Sequence, residues 1–319
     1  MSDAHAAIVA DVLVWADLRG IGSHGVARIP FYVRLIDNRD LNPTPTITVR
    51  KETAASVVID ADRAAGPIAM MSALRAAIGK ARDAGVGLAF VRRTTHTAAL
   101  GYYTLAAADD GLAAVAAAAT TPLMAYHGAR AAGVGTNPIS IAVPGNAPLV
   151  LDMGMGVISM GKLVHARKTG QSIPAGWALD GEGKPATDLR SAKIPLPVGG
   201  PKGSGLSLMI ECLASLVVGN PILSAALQAS GRRRHQQNAL VLAVDVAQFG
   251  DPETFRRQLD DLVAAVKALP RDPDVVEILL PGERGQRTLA ERHRRGIPLP
   301  PAIVEELKAV ASRFGVAMP

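Results

Sequence analysis

His96 is suited by residue type and by position to move a proton. It follows the apolar run at residues 86–91, and a helix-like stretch at residues 102–108 comes after it. The run predicts a buried strand. An imidazole has an ordinary pKa of about 6.5, so it can accept or donate a proton near neutral pH. A histidine at a strand end is held firmly and still reaches a cleft, but the same place also suits a hydrogen-bonded structural histidine.

A second polar group lies at the predicted start of a helix, in the turn Ser23-His24-Gly25. Its hydroxyl, imidazole and backbone N–H groups are close together, and Arg28 follows one turn later. A guanidinium can hold a carboxylate through two parallel hydrogen bonds, so Ser23, His24 and Arg28 are candidate substrate-binding residues. Alternatively, Ser23 caps the helix and Arg28 is a surface charge.

A glycine-rich segment at residues 199–205 contains Lys202 and leads into an apolar helix predicted over residues 206–218. Glycine allows the backbone to approach a ligand, and a helix N-terminus presents unpaired N–H groups. Together with the lysine charge, these features predict an anion-binding turn. An ordinary glycine-rich turn before a core helix is the other interpretation.

Two further turns carry polar groups. Thr120 ends the apolar run at residues 112–119, which predicts another buried strand, and Asn137 lies in a Gly-Thr-Asn-Pro turn that can meet a polar ligand.

Residues 156–162 match the phosphate-loop pattern, but Leu163 stands where a serine or threonine must bind magnesium. The chain also lacks a G-x-G-x-x-G turn, which argues against a Rossmann domain.

Helices and strands must alternate to position these groups. Helical patterns cover residues 2–19, a second helix through 31–35 and residues 67–83, and short apolar strands are predicted at 56–59, 139–143 and 148–153. This alternation predicts an α/β protein. At 319 residues the chain can bury a large core and form two or three lobes.

Composition excludes several classes of protein. Hydrophobic residues make up 49% of the chain, so it is globular. The net charge of +6 lies in local arginine clusters without the aromatic side chains that stack on bases, so we expect no nucleic-acid partner. The single cysteine, Cys212, excludes an intrachain disulfide and a cysteine-based zinc site, and we expect no metal site. No apolar stretch is long enough to span a membrane, so we expect a cytoplasmic protein.

Taken together, the motifs resemble those of the type-2 malate/L-lactate dehydrogenase family, over roughly residues 5–316. They occur in the family's order: Ser23-His24-Gly25-Val26-x-Arg28, His96 with Gly101-Tyr102-Tyr103, Gly135-Thr136-Asn137-Pro138, Leu151-Asp152-Met153, Gly161-Lys162, Gly176-Trp177, Gly199-Gly200-x-Lys202-Gly203, Pro281-Gly282-Glu283 and Gly296-Ile297-Pro298-Leu299.

The resemblance implies a non-Rossmann α/β fold with a mixed sheet, in which the helical N- and C-terminal segments pack together. A helical lobe would comprise residues 1–50 and 285–319, and a central α/β region, residues 51–284, would bind cofactor and substrate. The protein would be a homodimer that uses NAD or NADP to transfer a hydride to or from a small anionic 2-hydroxy or 2-oxo acid.

The family's motifs also imply residue roles. His96 matches the catalytic proton donor and acceptor, and the segment with Ser23, His24 and Arg28 matches the substrate site. The positions that match the family's cofactor contacts are Thr120, Gly154, Met155, Gly156 and Lys202. Asn137, whose amide lies in the Gly-Thr-Asn-Pro turn, is a further candidate for cofactor binding.

The chain departs from the family where Gly154-Met155-Gly156 lacks two usual hydroxyls and where Thr95 replaces the usual asparagine. Two other functions stay open. One is an NAD(P)H-dependent reductase of cyclic imino acids such as piperideine-2-carboxylate, and the other is a basic binding module without catalysis.

Overall fold

The computed structural model describes residues 1–158, 173–174, 176–188, 190–229 and 234–318. Gly161 and Lys162, which belong to the family motif and to the phosphate-loop pattern, lie outside the described residues. The arginines at positions 232 and 233 of the basic cluster lie outside them as well.

The helices follow the predicted pattern in most places. Within the described residues they are α1 (Asp3–Leu18), α2 (Ile29–Asp37), α3 (Gly66–Ala84), α4 (Gly101–Asp109), α5 (Pro201–Glu211), α6 (Leu223–Gln228), α7 (Pro252–Lys267), α8 (Glu283–Arg295) and α9 (Pro301–Arg313). Short 3₁₀ segments at Gly22–His24 and Val26–Arg28 join α1 to α2. A π-helical turn, Cys212–Leu216, continues α5.

Seven of the described strands form one sheet, in the order β1-β2-β3-β11-β4-β7-β8. They are β1 (Thr48–Glu52), β2 (Ser56–Asp60), β3 (Val86–Thr94), β4 (Leu112–Thr120), β7 (Ile139–Val143), β8 (Leu149–Met153) and β11 (Gln237–Asp245). Strands β2 and β3 are parallel and the other neighbours are antiparallel, so the sheet is mixed. The α/β, non-Rossmann fold is confirmed.

Two smaller pairs of strands lie beside the main sheet. They are β5 (Met124–Ala125) with β6 (Ala132–Val134), and β9 (Ala178–Leu179) with β10 (Ile194–Pro195).

Small side chains let α3 lie close to the sheet. A Cβ at Gly87 on β3 would stand 1.9 Å from the carbonyl oxygen of Ala77 on α3, so only glycine fits there. Ala77 and Ala81 are themselves buried against the strands. An alanine-rich core therefore achieves dense packing by close approach of backbones, not by large side chains.

Strands β2, β3 and β4 end at one edge of the sheet, where β11 begins. Thr94 at the end of β3 and Thr120 at the end of β4 both pair with Gln237 at the start of β11. On the other side of β3, Asp60 at the end of β2 pairs with Arg92. Strand β3 thus runs three residues past the predicted apolar segment, and the loops that leave β3 and β4 are neighbours.

The two helical ends of the chain pack on each other, as expected. Arg292 on α8 donates to the carbonyl oxygen of Asp17 on α1. Arg313 on α9 donates to both carboxylate oxygens of Asp37 on α2, each at 2.7 Å. The boundaries of the two lobes, residues 1–50 with 285–319 and residues 51–284, stay a prediction. Across the part of the chain that the structure describes, no helix is long and apolar enough to cross a membrane.

The helix after the glycine-rich segment differs from the prediction. It begins at Pro201, five residues earlier than expected, and the α-helical part ends at Glu211. Proline suits a first helical position because its missing N–H needs no partner there. Gly203 lies inside the helix. The position requires glycine because a Cβ there would stand 2.3 Å from the carbonyl oxygen of Val198. This glycine serves close packing, whereas the sequence pattern suggested a loop.

Candidate active site

Tyr32 fixes the orientation of the His96 imidazole. Its hydroxyl donates to the His96 carbonyl oxygen at 3.0 Å and lies 3.2 Å from His96 Nδ1. Because the hydroxyl proton goes to the carbonyl, the contact with Nδ1 places the imidazole proton on that nitrogen. The lone pair is then on Nε2, which is the form that a general base needs.

The loop that carries His96 is held from both sides. The hydroxyls of Thr94 and Thr95 donate to the Ala64 carbonyl oxygen at 3.1 and 3.0 Å. The backbone N–H of Thr97 donates to Gln237 Oε1 at 3.1 Å. Thr95, which departs from the family pattern, therefore still makes a hydrogen bond that positions the loop.

Burial keeps the imidazoles of this site neutral. The pKa of His96 is held well below 6.5 by desolvation and by the nearby charges of Arg28, His24 and His235. Desolvation, with a smaller contribution from Arg28, also lowers the pKa of His24 to about 4. His96 lies deep in the protein but keeps part of its surface accessible, so a small molecule can reach it.

The predicted substrate segment forms a compact turn beside His96. Ser23 Oγ lies 2.9 Å from His24 Nδ1, and Arg28 Nε donates to the Ser23 carbonyl oxygen at 2.6 Å. Asp17 Oδ2 accepts from the Val26 N–H at 2.8 Å and secures the turn. Ser23 does not cap α2, whose N-cap is Arg28 without a side-chain bond, so that alternative is wrong.

Arg28 is not a simple surface charge. Within the described residues its hydrogen bond to Ser23 uses Nε, and both terminal nitrogens keep their donors for a ligand. Its guanidinium carbon lies 5.8 Å from the centre of the Phe31 ring. Desolvation lowers the pKa of this arginine from its ordinary value, which marks it as largely enclosed. A planar fork in such a place is well suited to hold a carboxylate.

Thr120 offers an unpartnered hydroxyl at the same edge of the sheet. Its Oγ1 is buried and, within the described part of the chain, has no hydrogen-bond partner. Its backbone N–H donates to Asn137 Oδ1 at 2.9 Å, and Asn137 Nδ2 donates to the Ser207 carbonyl oxygen at 2.8 Å. The Asn137 amide thus bonds within the protein at both ends and positions Thr120, and its direct contact with cofactor stays a prediction.

Met155 is predicted to contact the cofactor, and its side chain lies in the core. Its side chain is 1% exposed and packs in a cluster that includes Met124. Its N–H donates to the Thr136 carbonyl oxygen and its own carbonyl accepts from Val198, both at 2.8 Å. Because the side chain is core, contact by this segment is left to Gly154, which is exposed, and Gly156, which is partly exposed.

Lys202 is exposed in the first turn of α5. The backbone N–H groups around it, which were expected to be unpaired, have partners. The backbone N–H groups of Lys202, Gly203 and Ser204 donate to the carbonyl oxygens of residues 199, 198 and 200 at 3.3, 3.0 and 3.3 Å. The expectation of a backbone anion site is therefore wrong for these three groups. The ammonium of Lys202 is what this turn can offer an anion.

The predicted residues fall into two groups in the described structure, one that includes His96 and one that includes Lys202. Ser23, His24, Arg28 and His96 are in contact or near contact, and Thr120 ends the strand that pairs with Gln237. Among the described residues, no hydrogen bond, ion pair or ring contact joins Lys202 to His96. Helix α5 relates the groups, because Ser207 Oγ donates to the Gly135 carbonyl oxygen at 2.8 Å, beside the turn that positions Thr120.

Sequence reasoning missed several residues that the structure places at the site. Tyr32 and Phe31 belong to the predicted second helix, and His235 directly follows three arginines of a local arginine cluster, yet all three side chains lie at or next to His96. A usable signal was present in Gln237 and Asn238, two amides that begin an otherwise apolar strand. Buried polar side chains need hydrogen-bond partners, and these two bond to the end of β3 and to the loop that follows it, through the N–H groups of Arg93 and Thr97.

A metal ion is not suggested by the described side chains. No group of three or more histidine, cysteine, aspartate or glutamate residues among them is placed to hold one.

The family model described as malate/L-lactate dehydrogenase matches residues 1–308. Among curated proteins, malate dehydrogenase of Pyrococcus horikoshii is 34% identical over 322 residues, covering 98% of this chain and 89% of that protein. Ureidoglycolate dehydrogenase (NAD(+)) of Escherichia coli is 33% identical, with coverages of 88% and 81%. (2R)-3-Sulfolactate dehydrogenase (NADP(+)) of Chromohalobacter salexigens is 33% identical, with coverages of 96% and 91%.

Solved structures share the fold over nearly the whole chain. Sulfolactate dehydrogenase from Methanocaldococcus jannaschii superposes with a TM-score of 0.86 at 34% identity, covering 99% of this chain and 92% of that one. Δ1-piperideine-2-carboxylate reductase from Pseudomonas syringae also gives 0.86, at 29% identity, with coverages of 98% and 94%.

Proposed function

The chain belongs to the malate/L-lactate dehydrogenase family of NAD(P)-dependent 2-hydroxy acid dehydrogenases, and we propose that its own substrate is a small malate- or lactate-like 2-hydroxy or 2-oxo acid. The observation that carries this proposal is the neutral His96, oriented by Tyr32, beside the free guanidinium donors of Arg28. His96 can exchange the hydroxyl proton of such an acid, and Arg28 can bind its carboxylate.

His96 and Arg28 divide the chemistry between them. In oxidation, the substrate hydroxyl gives its proton to His96 Nε2 while the hydrogen on the same carbon leaves as hydride, and a carbonyl forms. In reduction, the imidazolium returns the proton to the new alkoxide oxygen. Arg28 holds the carboxylate so that the reacting carbon keeps one orientation. When bound, NAD or NADP supplies the nicotinamide ring that takes or gives the hydride.

Thr120 and Lys202 are the residues that fit a dinucleotide in this fold. The Thr120 hydroxyl is buried without a partner, a state that costs free energy unless a ligand completes it. Lys202 has an exposed ammonium at the start of α5 that can meet a phosphate. We assign both residues to cofactor binding, with Gly154 and Gly156 as backbone neighbours and Asn137 as a positioning residue.

A cyclic imino acid reductase is the second candidate. The likeness to the Pseudomonas syringae reductase supports it, because the same imidazolium and guanidinium would protonate an imine nitrogen and hold its carboxylate. Membership of an enzyme family speaks against the non-catalytic basic module.

We also propose a homodimer. Five large apolar side chains are 43–60% exposed along α5 and the π-helical turn that continues it: Leu206, Met209, Leu213, Leu216 and Val217. They recur at helical spacing and carry no charge, so the stripe can pack against its own copy without an unpaired ion. A cytoplasmic location stays a prediction from the sequence.

The test is a substrate panel with both cofactors. Oxaloacetate, pyruvate and piperideine-2-carboxylate are each assayed with NADH and NADPH, for wild-type protein and for Lys202→Ala. We expect turnover of a 2-oxo acid, with a raised KM for cofactor in the variant. Turnover of the imino acid alone would assign the second candidate, and no turnover with any pair would reject both enzymatic proposals.

A further inference from the structure

His235 is a third imidazole at the site. The centroid of its ring lies 5.2 Å from that of the Phe31 ring in an edge-on contact. Phe31 also makes an edge-on contact with His96, with centroids 5.9 Å apart. Its Nε2 is buried and has no hydrogen-bond partner among the residues that the structure describes. A buried polar atom without a partner is uncommon, and it indicates that something absent from the protein completes it.

The segment that carries His235 is fixed to the catalytic loop. Two residues later, Gln237 accepts from the Thr97 N–H, and the next residue, Asn238, accepts from the Arg93 N–H at 3.0 Å. His235 therefore enters the site on a segment that also holds His96 in place, and its position relative to His96 is set by strand pairing.

Burial and two nearby charged groups set the pKa of His235. Desolvation lowers its pKa to about 4, Asp40 acts in the opposite direction, and Arg28 lowers it further. The carboxylate of Asp40 also lies 3.5 Å from Arg234 Nε. A second anion on the free side would place an imidazolium between two negative charges, a setting in which the charged form is favoured.

A 2-hydroxy acid has three points that can be held. Besides the exposed Arg34, the Phe31 ring contacts three partly buried groups, which are Arg28, His96 and His235. Arg28 suits the carboxylate and His96 the 2-oxygen, which leaves His235 for the substituent on carbon 3. We propose that His235 binds that substituent and selects acids with a second anionic group over acids that end in a methyl group. This inference rests on the proposed dehydrogenase function and deepens it, because it names the residue that reads the far end of the substrate.

The kinetic test compares a dianionic and a monoanionic substrate. The ratio of kcat/KM for oxaloacetate to kcat/KM for pyruvate is measured for wild type, His235→Gln and His235→Phe. The exposed His293 on α8 provides the matched control, His293→Gln. We expect wild type to prefer oxaloacetate, and the ratio to fall about tenfold or more in both His235 variants, the size of a lost charge-assisted hydrogen bond. The kcat/KM for pyruvate should fall by a smaller factor than the kcat/KM for oxaloacetate, because pyruvate has no second anionic group for His235 to bind.

A binding measurement keeps the proposal testable if a variant folds poorly. Imidazole signals of ¹³C-histidine-labelled wild-type protein are titrated with pH, alone and with saturating succinate or butyrate. His235→Gln identifies the signal. Succinate, which has two carboxylates, should raise the pKa of His235 by at least about one unit, whereas butyrate should not.

The outcomes separate a failure of the proposed dehydrogenase function from a failure of the role proposed for His235. Protein that reduces neither acid with either cofactor removes the proposed function, and this inference with it. Protein that reduces 2-oxo acids, but prefers pyruvate or keeps the same ratio in the His235 variants, overturns only the role of His235. An equal loss with both acids, or a His235 pKa that ignores succinate, would make this residue a packing partner of Phe31.

Discussion

The imidazole of His24 stacks on that of His96, with ring centroids 5.4 Å apart and an interplanar angle of 20°. His24 disfavours a proton on His96, and Arg28 lowers the pKa of both rings. Both imidazoles of the stack are therefore neutral near neutral pH. Neutral His96 is the form that oxidation of an alcohol requires.

Replacing His96 tests its role as the proton-transfer group. His96→Ala should lower kcat by a factor of about 10² to 10⁴, the usual loss when acid–base help is removed. Cofactor affinity should persist, because Thr120 and Lys202 lie on other elements. Rapid mixing and fluorescence titration with NADH and NADPH measure the two quantities, and His293→Gln serves as the control. A variant that keeps its turnover in the folded fraction would show that His96 is structural.

The pH profile of kcat/KM adds a signed prediction for His96. Its pKa in the free protein lies well below 6.5, so the neutral base is fully formed at neutral pH. Oxidation should therefore be flat above about pH 6.5 and decline only in more acidic solution. Reduction needs the imidazolium and should slow as the pH rises. The two directions are measured with one substrate pair in overlapping buffers, and parallel profiles would contradict this assignment.

Acid should destabilise the protein through the buried imidazoles. The pKa of both His24 and His235 is about 4 in the folded protein, against about 6.5 when unfolded. The unfolded chain binds more protons in this interval, so stability is complete above about pH 6.5 and is lost toward pH 4. Each histidine should contribute a loss of about 2 kcal/mol between pH 7 and pH 5. Urea unfolding of wild type and His24→Gln measures it, and equal slopes in the two proteins would refute the linkage.

Arg28 should affect substrate binding more than turnover. Arg28→Lys keeps the charge but loses the two-point geometry, so KM for every 2-oxo acid should rise about tenfold or more. Arg34, which also lies against the Phe31 ring, gives a matched Arg34→Lys control. KM values that match wild type across the panel would return Arg28 to a structural role in the turn.

Thr120→Val separates a ligand hydroxyl from a structural one. Valine has nearly the same shape, and the Thr120 hydroxyl has no partner within the protein, so thermal stability should be unchanged or slightly higher. Cofactor affinity should fall about threefold to thirtyfold if the hydroxyl meets the dinucleotide. Loss of stability with unchanged cofactor binding would be the opposite result.

The sequence predicted well those features that depend on local periodicity and on chain order. The strand before His96 and the turn with Arg28 lie where apolar runs and glycines indicated. The start of α5 was misplaced because Gly203 is required by the carbonyl of Val198, a contact invisible in a local pattern.

Long-range packing accounts for the other differences. Asn137 looked like a ligand, but Thr120 and Ser207 occupy its amide. His235 looked like part of a solvated basic run, yet Phe31, some two hundred positions earlier, makes it a site residue. Such partners are chosen by the tertiary fold, which no single stretch of sequence records.

The central place of β11 has a consequence for how the protein is made. This strand lies between β3 and β4, and its Gln237 reaches Thr97 across 140 positions of the chain. During synthesis, β3 and β4 leave the ribosome long before the strand that must separate them. The nascent chain therefore has to keep these two apolar edges apart until β11 arrives, and this late insertion should limit the folding rate.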